Sequence, residues 1–178
     1  MAKPEVTEYA PYYSRYIDLV GEGDIVRILE EELDAGMRVL RRFSEWDGAY
    51  RYAAGKWSIK EVIGHIIDTE RVMAFRALWF ARGTQAELPG FEQDDWVKNS
   101  NFDASELSIL VDEWAMLRRS NVEFFRSLPA EAWSHHGVAN KGQITVKALA
   151  YVIAGHEMHH RNVLALRYVK DGESRGKR

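Results

Sequence analysis

Four stretches of this chain carry apolar residues at steps of three and four, each opening at a capping residue, and no stretch alternates with the period of two that a half-buried strand needs. Apolar stripes of that period are buried by packing helix against helix, so the pattern predicts an all-α fold, a four-helix bundle. The first stretch starts at Asp24 and places Ile25, Ile28, Leu29, Leu33, Met37, Leu40 and Phe43 on one side. The second opens at Ser58, with Glu61 completing a capping box, and stops at Gly83. Its stripe of Val62, His65, Thr69, Val72 and Arg76 turns His65 inward or into a cleft. The third is expected to begin at Asp103, with Glu106 in capping-box spacing, and runs through Leu107, Leu110, Trp114, Leu117, Val122 and Phe125 toward Pro129. The fourth, "TVKALAYVIAGHEMHHRNVLALRYV", is capped by Thr145.

Between the second and third helices lies a long loop, residues 83–102, with Pro89, Gly90 and one short helical turn around Glu92 to Val97. Connections of that length are often functional. Residues 129–143, "PAEAWSHHGVANKGQ", read as loop, and the tail from about 170, "KDGESRGKR", is expected to be frayed and disordered. A chain of 178 residues with 46% hydrophobic content suits one domain, 1–178.

Composition narrows the chemistry. With no cysteine there are no disulfides and no thiolate ligands, so a metal site must use histidine and carboxylate. A balance of 24 basic against 27 acidic residues lacks the positive footprint of a nucleic-acid binder, so no nucleic acid is expected. The N-terminus shows no signal-peptide run, and no stretch reaches the roughly 18 apolar residues of a membrane span. No membrane is expected, and a cytoplasmic location is.

The fourth helix contains "AGHEMHHR", in which His156, Glu157 and His160 spell H-E-x-x-H, the zinc-peptidase motif. Positions four apart share a helix face, and the stripe Leu149, Ile153, His156, His160, Val163, Arg167 sets both imidazoles where a bundle places its core. Burying several imidazoles without polar partners costs about 1–3 kcal/mol each, which favours a shared ion over plain core histidines. The peptidase continuation fails, because Val163 and Leu166 stand where glycine and histidine are needed. His65 offers the third nitrogen instead.

The segment "KWSIKEVIGH", with its W-S-x-x-E-V-x-x-H pattern, followed by "LPGFEQDDWV" and the late H-x-x-x-H of His156 and His160, resembles the DinB-like superfamily, which includes YfiT-like proteins and bacillithiol S-transferases. The resemblance runs from about Tyr9 to Val169. It implies a four-helix bundle of unusual connectivity and a divalent metal ion, nickel or zinc, on His65, His156 and His160. It further implies a homodimer and a small-molecule substrate, with a low-molecular-weight thiol among the candidates. A metal-dependent transferase or hydrolase is therefore the leading expectation, and a non-catalytic metal- or ligand-binding stress-response protein the alternative.

Glu157 and Asp68 are the candidate catalytic carboxylates. Glu157 sits about 100° round the helix from His156, which favours solvent exposure or a salt bridge. Asp68, one turn after His65, is placed either to accept that ring's N–H or as a surface residue. Arg76, Trp96 and Arg161 are candidate substrate contacts, although long cationic side chains at bundle edges often only snorkel. Asp94 and Asp95 are candidates for the mouth of the site, and Trp57 for anchoring the second helix. His159 is expected between helices or at the surface, and His135 and His136 in an exposed loop.

Overall fold

The computed structural model describes residues 2–168, and the expected frayed tail lies outside the described residues. The described chain forms α1 (Ser14–Ile17), α2 (Ile25–Leu40), α3 (Ile59–Ala81), α4 (Gln93–Lys98), α5 (Leu107–Arg126) and α6 (Val146–Arg167). A hairpin of β1 (His136–Ala139) and β2 (Gly142–Thr145) precedes α6.

Three helices start where their caps predict. Asp24 accepts from the Val26 amide, Ser58 and Glu61 cap each other reciprocally, and Thr145 accepts from the Ala148 amide. Helix α5 is the exception, beginning at Leu107 rather than Asp103. Asp103 instead accepts from Ser58 Oγ at 2.6 Å and Arg51 at 2.7 Å, and the Leu107 amide donates to the Glu45 carboxylate at 2.7 Å. A local capping pattern has lost to partners far away in sequence.

Residues 136–145, expected as loop and helix cap, form the hairpin. Asn140 and Lys141 both have positive φ, 51° and 63°, as a two-residue type I′ turn requires. Leu88 adds a rung: its amide donates to the Val138 carbonyl, and its carbonyl accepts from the Asn140 amide. The long loop after α3 is thereby tied to the hairpin.

Round the bundle the long helices follow the order α2, α5, α3, α6, since α2 and α3 each pack on both α5 and α6. The pairs α2 and α3, and α5 and α6, therefore lie on diagonals, and α3 and α6 are brought side by side. Helices α3, α5 and α6 are apolar toward both ends and carry buried polar residues in the middle. On α3, Ile59–Ile67 belong to one apolar cluster and Met73–Ala81 to another; α5 and α6 divide in the same way. Between the clusters runs a buried polar layer that includes His65, Glu70, Arg118, Asn121, His156 and Glu157.

Two glycines permit close approaches to this layer. At Gly36 on α2 a Cβ would strike the Trp114 ring and Glu157, and at Gly155 on α6 it would strike the Tyr16 backbone carbonyl. The second contact seats α1 directly on α6, one residue before His156.

Candidate metal centre

His65 comes from the inward stripe of α3 and His156 and His160 from successive turns of α6, so the α3–α6 packing gathers all three. His65 Nε2 and His156 Nε2 are 3.1 Å apart, and one ring nitrogen from each of the three lies within 4.8 Å of the others. His65 and His156 are buried, and His160 is half-buried. Burial pushes the His65 imidazole down to about 4. His156 and His160 are likewise held well below the usual range, first by burial and then by the neighbouring imidazoles. All three rings are thus neutral near pH 7, with lone pairs available. Among the described residues their only hydrogen bond is the one between His65 and His156. Three neutral nitrogen donors with spare acceptor capacity, converging from two rigid helices, fit an open N₃ divalent-ion site.

Aromatic rings hold the imidazoles in place. Tyr16 meets His156 edge-on at 5.1 Å between centroids, and the Trp57 ring lies 4.7 Å from His65. His65 and His156 open onto a cavity of about 290 Å³, whose wall also includes Tyr13, Tyr16, Thr69 and Arg76, with Glu92 and Asp94 at an exposed edge. Burial raises the Tyr13 and Tyr16 hydroxyls above their ordinary range, so both remain proton donors.

The structure distributes the other candidates unevenly. Glu157 is 1% exposed, so of the two expectations the salt bridge holds and solvent exposure does not; α2 covers that flank of α6. One carboxylate oxygen lies 3.5 Å from Arg161 Nε, burial pushes the group up to about 7, and the side chain is not part of the cavity wall. Asp68 does not bond His65; it is half-buried, 3.8 Å from Arg71, and borders a neighbouring groove. Arg161 pairs with Glu32 and Glu157 away from the cavity, whereas Arg76 is buried in the cavity wall. Trp96 is exposed on α4, 4.6 Å from Phe91, in the same groove as Asp68. His159 is half-buried against Tyr16, and Asp95 is exposed. His136 is exposed in β1, and half-buried His135 has Nδ1 3.2 Å from the Ala81 carbonyl oxygen, so neither is a plain loop residue.

Two contributors to the cavity had been passed over. Thr69 stands one turn after His65 on the same stripe, and its buried hydroxyl has no hydrogen-bond partner among the described residues. The tyrosines of "YAPYYSRY" read as packing residues, since nothing local signals that α1 lies on α6.

A family model of the DinB superfamily matches residues 28–164. Comparison with curated protein sequences finds no match. Among solved structures, YfiT from Bacillus subtilis, described as a probable metal-dependent hydrolase with an unusual four-helix bundle topology, is similar with a TM-score of 0.71 at 14% identity. The similarity covers 79% of this chain and 82% of that one. The mycothiol-dependent maleylpyruvate isomerase is similar at 0.65 and 11% identity, over 78% of this chain and 58% of that one. A DinB-like protein of Bacillus subtilis, YjoA, is similar at 0.59 and 18% identity, over 82% and 90%.

Proposed function

This chain belongs to the DinB superfamily, and from that premise we propose that it is a metal-dependent enzyme acting on small molecules, with His65, His156 and His160 holding a divalent nickel or zinc ion. The observation that carries the reading is three neutral imidazoles, two buried and one half-buried, that converge beside a cavity and share a single hydrogen bond among the described residues. Relatives in fold are described as a probable metal-dependent hydrolase and a mycothiol-dependent isomerase, which supports thiol-dependent chemistry or hydrolysis as the reaction.

A divalent ion held there would supply Lewis acidity, lowering the proton affinity of a thiol or a water. The chain's own residues do the rest. Tyr16 and Trp57 fix the ring orientations, and Tyr13 and Tyr16, both in the cavity wall, supply hydroxyl donors for negative charge on a substrate. The loop tied to the hairpin at Leu88 forms one wall and limits water. Glu157 takes no part as base, because its carboxylate packs toward Gly36 and Trp114; this also weighs against a zinc peptidase. The cavity beside the imidazoles favours catalysis over the non-catalytic alternative, for which an enclosed ligand shell is expected.

No helix among the described residues is long and apolar enough to cross a membrane. A cytoplasmic homodimer using a low-molecular-weight thiol completes the proposal. Metal analysis of the purified protein beside His65→Ala tests its foundation: about one ion per chain is expected, falling to a small fraction in the variant. Equal metal content in both would overturn the assignment. Screening the loaded protein with thiols plus a model electrophile, and with esters and amides, separates transfer from hydrolysis.

A further inference from the structure

Among the described residues three arginines are buried: Arg76, Arg118 and Arg161. Arg118 is paired with Glu70, and Arg161 with Glu32 and Glu157. Arg76, at 2% exposed, has no carboxylate within ion-pair distance among the described residues. Its guanidinium donates to the Pro89 carbonyl at 2.6 Å, and more weakly to Tyr13 Oη at 3.5 Å and Met73 Sδ at 3.7 Å. A desolvated guanidinium with only neutral acceptors retains strong affinity for a carboxylate, which it can bind through two parallel N–H donors.

Its position supplies the second half of the argument. His65, Thr69, Met73 and Arg76 form one stripe on α3, and all four border the cavity. The unpartnered Thr69 hydroxyl lies between the metal end and the cationic end. The guanidinium folds back onto Met73, eight residues beyond His65, so the two ends are about 12 Å apart at the helical rise. An extended chain of about three residues spans such a length. Glu92 and Asp94 edge the same cavity but are exposed, so water screens them while Arg76 acts from a buried wall.

We propose that Arg76 is the carboxylate-binding end of this site, and that the cavity takes an elongated, tripeptide-sized molecule with a metal-binding head at the histidines and a carboxylate at Arg76. The head-group half rests on the metal reading above; the carboxylate half does not. Thr69 supplies a hydrogen bond to the connecting chain.

The test is calorimetric titration of the metal-loaded protein with mercapto-octanoate, the neutral-ended mercapto-octanol, and sulfur-free octanoate, repeated with Arg76→Met and Arg76→Lys. Cobalt loading adds a thiolate-to-metal absorption band that reports the head group. In the unaltered protein the thiol acid is expected to bind about tenfold or more tightly than the thiol alcohol. That ratio falls to near one in Arg76→Met and survives in part in Arg76→Lys. If Arg76 only clamps the Pro89 loop, the variants weaken acid and alcohol equally, and the proposal fails. Equal affinity of acid and alcohol in the unaltered protein overturns it as well, and needs no variant to fold. Failure of the metal reading looks different: octanoate then binds as tightly as mercapto-octanoate, still dependent on Arg76, and only the head-group half is overturned.

Discussion

The polar layer of the bundle contains two buried clusters of opposite character. Glu70 accepts from Arg118 at 2.7 and 2.8 Å, from Trp114 Nε1 at 3.1 Å and from Asn121 Nδ2 at 3.1 Å, so a carboxylate's roughly four lone-pair sites are all engaged. The three imidazoles share one hydrogen bond. Both clusters are buried and both join helices distant in sequence. In the first the carboxylate is saturated; in the second ring lone pairs are left over, and of the two only the second opens to a cavity. Unspent capacity that faces a cavity, more than burial or polarity, separates a site from a structural cross-link.

The comparison breaks most visibly at Arg118. Arg118→Met leaves Glu70 buried without its cation and should cost about 3–5 kcal/mol in urea unfolding, while adding Glu70→Leu should recover much of the loss. A single-variant cost below about 1 kcal/mol would show that Glu70 and Arg118 do not form the cross-link described.

Acid sharpens the contrast, because it acts on the histidine cluster. In the metal-free protein the His65 imidazole is lowered to about 4, below its ordinary 6.5, so the unfolded chain takes up a proton that the folded one refuses. The stability this confers is fully present above about pH 6.5 and is lost as the pH falls toward 4, by about 2 kcal/mol between pH 7 and 5 for His65 alone. Glu157, pushed up to about 7, acts in the opposite sense: its folded carboxyl binds a proton between about 4.5 and 7, opposing the loss over that window. His156 and His160 are lowered in the same sense as His65, so the three imidazoles together outweigh Glu157: thermal melts from pH 7 to 5 should fall with acid and fall more steeply in Glu157→Gln. A flat profile in that variant would rule out buried neutral imidazoles.

The smallest effect is the most telling. His65→Leu forfeits one hydrogen bond and should change metal-free stability by about 1 kcal/mol or less, although the same residue is assigned a metal. A loss as large as that of Arg118→Met, measured by the same unfolding assay, would make His65 a structural residue.

Most of the helical frame was legible because stripes and caps are local. Asp24, Ser58 and Thr145 each bond an amide within three residues, and sequence spacing records that directly. The start of α5 was not legible, since Asp103 is engaged by Arg51 and Ser58 and the cap comes from Glu45. The hairpin escaped because four-residue strands are too short for a period of two to register, although Asn140-Lys141-Gly142 was a usable turn signal. The three histidines were legible because each lies on an inward stripe. The direction of Glu157 was not: a turn of about 100° from the core face points to water only when no helix stands there, and α2 does.

Gly155 does not line the cavity and has no side chain to offer the centre, yet its missing side chain is what lets the Tyr16 carbonyl rest on α6. Any larger residue would have to lift the N-terminal segment away and carry Tyr13 and Tyr16 with it. In a saturation mutagenesis screen, position 155 would therefore be as intolerant as a metal ligand, and the code for this centre includes one residue whose contribution is the space it leaves.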